Sequence, residues 1–175
     1  RRLRYGATAQ SIMVGEKLLA DTPIFQMVEG VERIVFTTND EFEVLELSVQ
    51  NATLVGNQYK YYDTKVQGTD GTVEIIRILH EDSHELYGKY LAGIMELAKA
   101  KGRDGGPHWR DYYEFQKNFA QVAYNYAITA HKAQGSTYEN VLLFESDILE
   151  NKNLTERNRI RYTALTRASK LLAIM

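Results

Sequence analysis

The chain has 175 residues, 44% of them hydrophobic and 25% charged, with a formal net charge of −2 and no cysteine. A chain of this length removes roughly 70% of its unfolded surface from water on folding, enough for a real core, and its charge balance argues against a strongly basic nucleic-acid sleeve while leaving room for a local basic groove. Without cysteine, disulfides and thiolate metal sites are excluded and a reducing cytoplasm is the natural setting; no apolar run reaches the ~18 residues that span a bilayer, and nothing resembles a signal peptide.

The chain opens on Arg1-Arg2-Leu3-Arg4 and closes on Ile174-Met175 inside an apolar run, so both ends read as cut and a fragment is expected. The first half reads as strands: Ser11–Ala20, then Val31–Thr37 and Glu41–Val49 around the turn Thr38-Asn39-Asp40. Tyr59–Val66 and Thr72–Leu79 form another pair around Gln67–Gly71, whose Asp70-Gly71 is a strong hairpin signal. Short strands with tight turns over residues 31–79 suggest a small barrel-like module.

Helices follow. Asp82 or Ser83 can cap a helix with the stripe Leu86, Tyr90, Ile94, Leu97, ending near Lys101-Gly102. Pro107 suits the first position of a second helix, with Trp109, Tyr112, Tyr113, Gln116 and Phe119 as its aromatic face. Those rings either pack against Leu86–Leu97 or stack nucleic-acid bases. The last part alternates: a strand over Val122–Thr129, a polar turn stopping at Gly135, a buried-type strand Val141–Phe144, a helix from Asn153 to about Ser169 opened by a capping box with Glu156, and a strand from Leu171. Such βαβ alternation implies a parallel sheet.

Two places carry chemistry. Thr129–Thr137 (Thr-Ala-His-Lys-Ala-Gln-Gly-Ser-Thr) follows an apolar strand, at the edge where open α/β sheets gather ligands. Its hydroxyls, imidazole, ammonium and amide suit phosphate oxygens and a nucleotide edge; a polar loop capping a short helix is the other reading. Arg167 falls in phase with Ile160, Ala164 and Leu171 on the predicted helix, and an arginine in a core-phase position is costly unless paired. A phosphate or a buried carboxylate would satisfy its fork. Two further patterns read as decoys. His80-Glu81-Asp82-Ser83-His84 matches the zinc-protease spacing, yet it follows a β-branched run, and Asp82 and Ser83 prefer a cap to a helix interior. Val141–Phe144 with Glu145 and Asp147 mimics a Mg²⁺-holding strand, but no G-x-x-x-x-G-K-[ST] occurs anywhere in the sequence.

Thr129–Thr137 resembles motif V, and Tyr162–Ser169 (Tyr-Thr-Ala-Leu-Thr-Arg-Ala-Ser) motif VI, of superfamily 1 DNA helicases; the Ala-Gln-Gly form and the segment Trp109…Phe115…Phe119 resemble the RecD/Dda branch. The resemblance implies an α/β fold: a RecA-like parallel-sheet second motor domain begun by residues 1–30 and continued by 121–175, an SH3-like β-barrel inserted over 31–80 and preceded by a strand at Gly15–Leu19, and a helical segment over 81–120. It implies that Arg167 reaches the γ-phosphate of ATP, with Gln134 and Gly135 beside the nucleotide, and that Thr129, His131, Lys132, Ser136 and Thr137 face single-stranded DNA. It implies ATP and Mg²⁺ as cofactors of a longer protein, held only together with an N-terminal P-loop RecA-like domain, in a bacterial or phage-infected cytoplasm, with movement 5′→3′. The competing class is a stand-alone single-stranded nucleic-acid-binding or interaction module without motor activity.

Overall fold

A computed structural model describes residues 10–175, and the chain divides between Tyr126 and Ala127 into two units. The opening residues Arg1–Arg4 lie outside the described residues.

The first unit is built on a five-stranded antiparallel sheet. In chain order its strands are β1 (Lys17–Ala20), β4 (Glu41–Leu54), β5 (Asn57–Gly68), β6 (Val73–Leu79) and β7 (Val122–Tyr124), with spatial order β6-β5-β4-β1-β7. A separate hairpin is formed by β2 (Ile24–Val28) and β3 (Val31–Phe36). The expected pairing of β5 with β6 is present, and the turn closes with Gly68 N–H on the Thr72 carbonyl at 2.8 Å. Three strand readings need correction. Ser11–Glu16 is turn and bend, so the first strand is confined to Lys17–Ala20. The turn at Thr38–Asp40 exists, but β3 pairs with β2 and β4 pairs with β1 and β5. The strand expected over Val122–Thr129 stops at Tyr124 and runs antiparallel to β1.

Strand β5 shows how two cores arise from one period-two pattern. Its even residues Tyr62 and Val66 join Leu18, Phe42, Val44, Ile76 and Ile78 under the hairpin residues Ile24 and Phe36. Its odd residues Tyr59 and Tyr61 face the opposite way, into a cluster with Tyr87, Phe115 and Phe119 from the helical segment. Each fully buried large side chain contributes about 1.5–3 kcal/mol. The hairpin tip of β4–β5 places Val55 at φ 46° and Gly56 at φ 80°, and Leu54 pairs directly with Asn57. Two residues of positive φ are what such a hairpin demands, and a β-branched residue is strained there. Val55→Asn is therefore expected to raise stability by about 1 kcal/mol, read as a shift of the urea midpoint without a change of slope; an unchanged midpoint would refute the strain.

Helix α1 spans His84–Ala100 and α2 spans Gly106–Gln116, with proline in the first turn of α2 as expected. Ser83 stands at the N-cap, but its hydroxyl accepts the backbone N–H of Lys60 in β5 at 2.8 Å and so ties the helix to the sheet. The expected stripe of α1 holds at its middle, where Tyr90 packs against the aromatic cluster, but not at its ends: Leu86 is 39% and Leu97 56% exposed, while Tyr87 and Ala98 are buried. Between the helices, Gly105 passes so close to α1 that an added Cβ would lie 2.2 Å from the Ala98 carbonyl oxygen. A side chain there has no room.

The second unit holds β8 (Tyr138–Leu143), α3 (Glu145–Leu149), α4 (Leu154–Leu165) and β9 (Ala168–Ile174). Strands β8 and β9 are parallel, joined by the helical crossover that parallel pairing requires. The Asn153 carboxamide oxygen accepts from the Thr155 and Glu156 N–H groups, both at 3.1 Å, which confirms the predicted helix start. The predicted end is wrong: α4 stops at Leu165, not Ser169. Leu171 belongs to β9, so its apparent helical phase with Ile160 and Ala164 was a coincidence of spacing. The fold is thus mixed α/β with an antiparallel main sheet and one parallel strand pair. Among the described residues, no helix is long and apolar enough to cross a membrane.

Candidate functional site

The segment Thr129–Thr137 is a run of tight turns leading into β8. Ala133 N–H donates to the Thr129 carbonyl at 3.0 Å, Gln134 N–H to His131 at 3.2 Å and Ser136 N–H to Ala133 at 3.1 Å. Ala133 is buried and anchors the coil. Gly135 sits at φ 90°, where a side chain is strained, and this lets the chain reverse before β8. Around that anchor, Thr129, His131, Lys132, Gln134, Gly135, Ser136 and Thr137 are all exposed. The Thr129 hydroxyl is engaged locally, accepting the Lys132 N–H at 3.3 Å.

Arg167 lies beyond α4, in the turn that starts β9, and is half-buried. It therefore does not sit on a helical core face, as its sequence phase suggested. Among the described residues it meets no carboxylate; its partners are oxygens of neutral groups. Its Nε donates to the Thr163 carbonyl at 3.0 Å, Nη2 to the Thr166 hydroxyl at 3.1 Å, and Nη1 to the Ser136 carbonyl at 3.0 Å. The last bond joins the two segments singled out in the sequence. A main-chain bond reinforces it, Tyr138 N–H donating to the Arg167 carbonyl at 2.8 Å. Thr163 and Thr166 lie within the Tyr162–Ser169 segment singled out in the sequence, but nothing in the sequence pattern assigned them a part in holding Arg167. The result is an exposed polar loop with an arginine at its root whose fork has donors remaining: a surface suited to anionic, phosphate-bearing ligands.

The decoy patterns resolve differently. Glu145 opens α3 and pairs with Arg161 Nε at 2.5 Å, which accounts for one acid of the metal-strand mimic. His80 precedes α1 rather than lying on it; its ring stacks on Tyr62 with centroids 4.7 Å apart and its Nδ1 accepts the Asp82 N–H at 3.1 Å. Burial pushes the Glu81 carboxyl up, but hydrogen bonds from Ser11 and Tyr62 and the nearby His80 outweigh it and hold the group down to about 2. A general base serving near neutral pH needs the opposite shift. Among the described residues, no three His, Asp or Glu side chains gather in a metal-binding arrangement. A groove of about 720 Å³ in the first unit, lined by Phe25, Gln26, Arg77, Tyr113 and Lys117 among others, includes none of the candidate site residues.

Residues 124–175, which contain both segments, match the family described as UvrD-like helicase C-terminal domain. The chain thus resembles the C-terminal part of a superfamily 1 helicase, and that resemblance extends to two curated proteins. It is 25% identical to the ATP-dependent DNA helicase dda of Enterobacteria phage T4 over 91% of this chain and 39% of the phage protein. It is 44% identical to an uncharacterized protein of Acanthamoeba polyphaga mimivirus over 57 residues, 33% of this chain and 12% of that protein. The chain therefore spans well under half the length of either relative.

Proposed function

We propose that this chain is the C-terminal motor segment of an ATP-dependent DNA helicase, which translocates on single-stranded DNA and unwinds duplex together with an N-terminal P-loop domain. The observation that carries the reading is the bond from Arg167 Nη1 to the Ser136 carbonyl at 3.0 Å, because it physically joins the motif VI arginine to the motif V loop. In a motor, the group that meets nucleotide phosphate and the loop that meets the nucleic-acid strand have to be mechanically linked.

In this reading residues 1–30 and 121–175 belong to a RecA-like domain, 31–80 are an SH3-like insertion and 81–120 the helical segment. Support for a RecA-like parallel sheet comes from β8 and β9, whose flanks stay apolar at exposed positions: Leu142 is 55%, Leu171 59% and Ile174 47% exposed. Strands apolar on both faces are those of buried parallel sheets. Bound ATP with Mg²⁺ supplies the free energy of phosphoryl transfer. This chain offers that nucleotide Arg167, and Gln134 with Gly135 beside it, but no phosphate-cradling loop, so the residues fit one wall of the site only. Thr129, His131, Lys132, Ser136 and Thr137 face the DNA backbone. The setting is the cytoplasm of a bacterium or an infected cell.

The test is nucleic-acid-stimulated ATP turnover and strand displacement by a protein that joins a P-loop domain to this chain. The isolated chain is expected to hydrolyse ATP negligibly and to bind single strands weakly, with affinity falling as salt rises. His131→Ala or Thr129→Ala should weaken strand binding by about tenfold at most, the worth of one lost hydrogen bond. DNA-stimulated turnover by the isolated chain would sink the assignment of a single wall. Strand binding without turnover in the joined protein would favour a binding module instead.

A further inference from the structure

A guanidinium carries five N–H donors in one plane. Three of those on Arg167 are engaged within the segment, at Thr163, Thr166 and Ser136. Two remain, one on each terminal nitrogen, to donate to an anion without releasing the others. The middle contact is of a different kind from its neighbours. Thr163 and Ser136 present carbonyls, which are fixed by the backbone. Thr166 presents a hydroxyl, and that hydroxyl is itself fixed: it lies 2.9 Å from the Tyr162 carbonyl and 3.1 Å from that of Thr163. Its single proton is thereby directed back into the end of α4, and its lone pairs are left to Arg167.

We propose that Thr166 is a positioning residue for Arg167: its hydroxyl sets the plane of the guanidinium, and the arginine so held clamps the 129–137 loop through the Ser136 carbonyl. This rests on the reading of Arg167 as the phosphate-reaching group. The physical gain is preorganisation. A free arginine samples many rotamers and loses that freedom on engaging a ligand, whereas one fixed at three points has lost it on folding. The Tyr138 N–H bond to the Arg167 carbonyl brackets the same stretch of loop from the main chain, so arginine and loop move as a unit.

The experiment compares Thr166→Val, Thr166→Ser, Arg167→Lys and the double variant Thr166→Val/Arg167→Lys in the joined protein, by amide hydrogen exchange without nucleotide and by ATP turnover. Thr166→Val and Arg167→Lys should each speed exchange over residues 133–138 by about tenfold, the double variant no more than either alone, because both break one link. Thr166→Ser should restore the protection. Turnover by Thr166→Val should fall about tenfold in kcat with KM for ATP unchanged. If exchange rises only at the end of α4 and residues 133–138 behave as in the parent, Thr166 merely caps the helix and the proposal is overturned. Should Thr166→Val fail to fold, Arg167→Lys leaving 133–138 protected overturns it equally. If the exchange pattern appears but Arg167→Ala leaves ATP turnover intact, the positioning role stands and the phosphate-reaching role falls; the converse result removes the positioning role alone.

Discussion

Arg167→Ala in the joined protein is expected to lower ATP turnover about 1,000-fold while weakening single-strand affinity by no more than about fivefold. The large term comes from the charge. An arginine that stabilises a transferring phosphoryl group acts where charge develops, and its removal leaves that charge without a counterpart. The small term comes from the geometry. Arg167 meets the 129–137 loop through its main chain, at the Ser136 carbonyl, and not through the loop's side chains. Losing the grip loosens residues 136–138 without deleting the exposed groups of Thr129, His131 or Thr137. Single-turnover hydrolysis with and without a saturating oligonucleotide separates the two. Unchanged turnover would remove Arg167 from the nucleotide site, and a collapse of strand affinity equal to the loss of turnover would make it a structural residue of the loop.

The residues that carry the site were legible because they form local patterns. Thr129–Thr137 and Tyr162–Ser169 are contiguous, and the Asn153 cap is set by hydrogen bonds to N–H groups two and three residues away. What was not legible is what depends on partners distant in sequence. Helical phase placed Arg167 on a core face, but phase has meaning only while the helix lasts, and α4 ends two residues earlier. The β2–β3 hairpin lacks the Asn-Gly or Asp-Gly signal; its turn uses Glu29 at φ 51° and Gly30 at φ 79°, so β3 was assigned to the wrong neighbour. The β4–β5 turn at Val55-Gly56 is hidden for the same reason, since valine is the wrong residue for the conformation it adopts. The stripe of α1 holds at Tyr90, which meets Phe115, but fails at its first position because Tyr87, not Leu86, meets Tyr59 and Phe115. Periodicity finds a helix, but the partner decides which of two adjacent faces is buried.

The aromatic helix yields the second large effect. Its expected face was Trp109, Tyr112, Tyr113, Gln116 and Phe119, of which Phe119 is buried and Tyr113 is 56% exposed. The ring at the centre is Phe115, 7% exposed, with Tyr90 4.4 Å, Tyr87 5.2 Å and Tyr59 5.9 Å from it, centroid to centroid. Phe115→Ala removes the ring on which the helical segment and β5 converge, and the cavity adds to the lost transfer energy; a cost of about 3–5 kcal/mol is expected. Tyr113→Ala, one turn edge away and facing water, should cost within about 0.5 kcal/mol. Between them stands Tyr87→Phe. Its hydroxyl donates to the Phe115 and Gln116 carbonyls at 3.3 and 3.2 Å, closing the end of α2, and burial pushes its ionisation well above the usual tyrosine range. Deleting only that oxygen takes a donor from the part-buried Gln116 carbonyl, while the Phe115 carbonyl keeps the Asn118 Nδ2 at 2.8 Å, so a cost of about 1 kcal/mol is expected. The chain has a single tryptophan, Trp109, which lies in α2 itself, so its fluorescence in urea follows this helix directly. The order Phe115→Ala, then Tyr87→Phe, then Tyr113→Ala is required; a Tyr113→Ala cost rivalling that of Phe115→Ala would mean the helix presents its other face to the sheet.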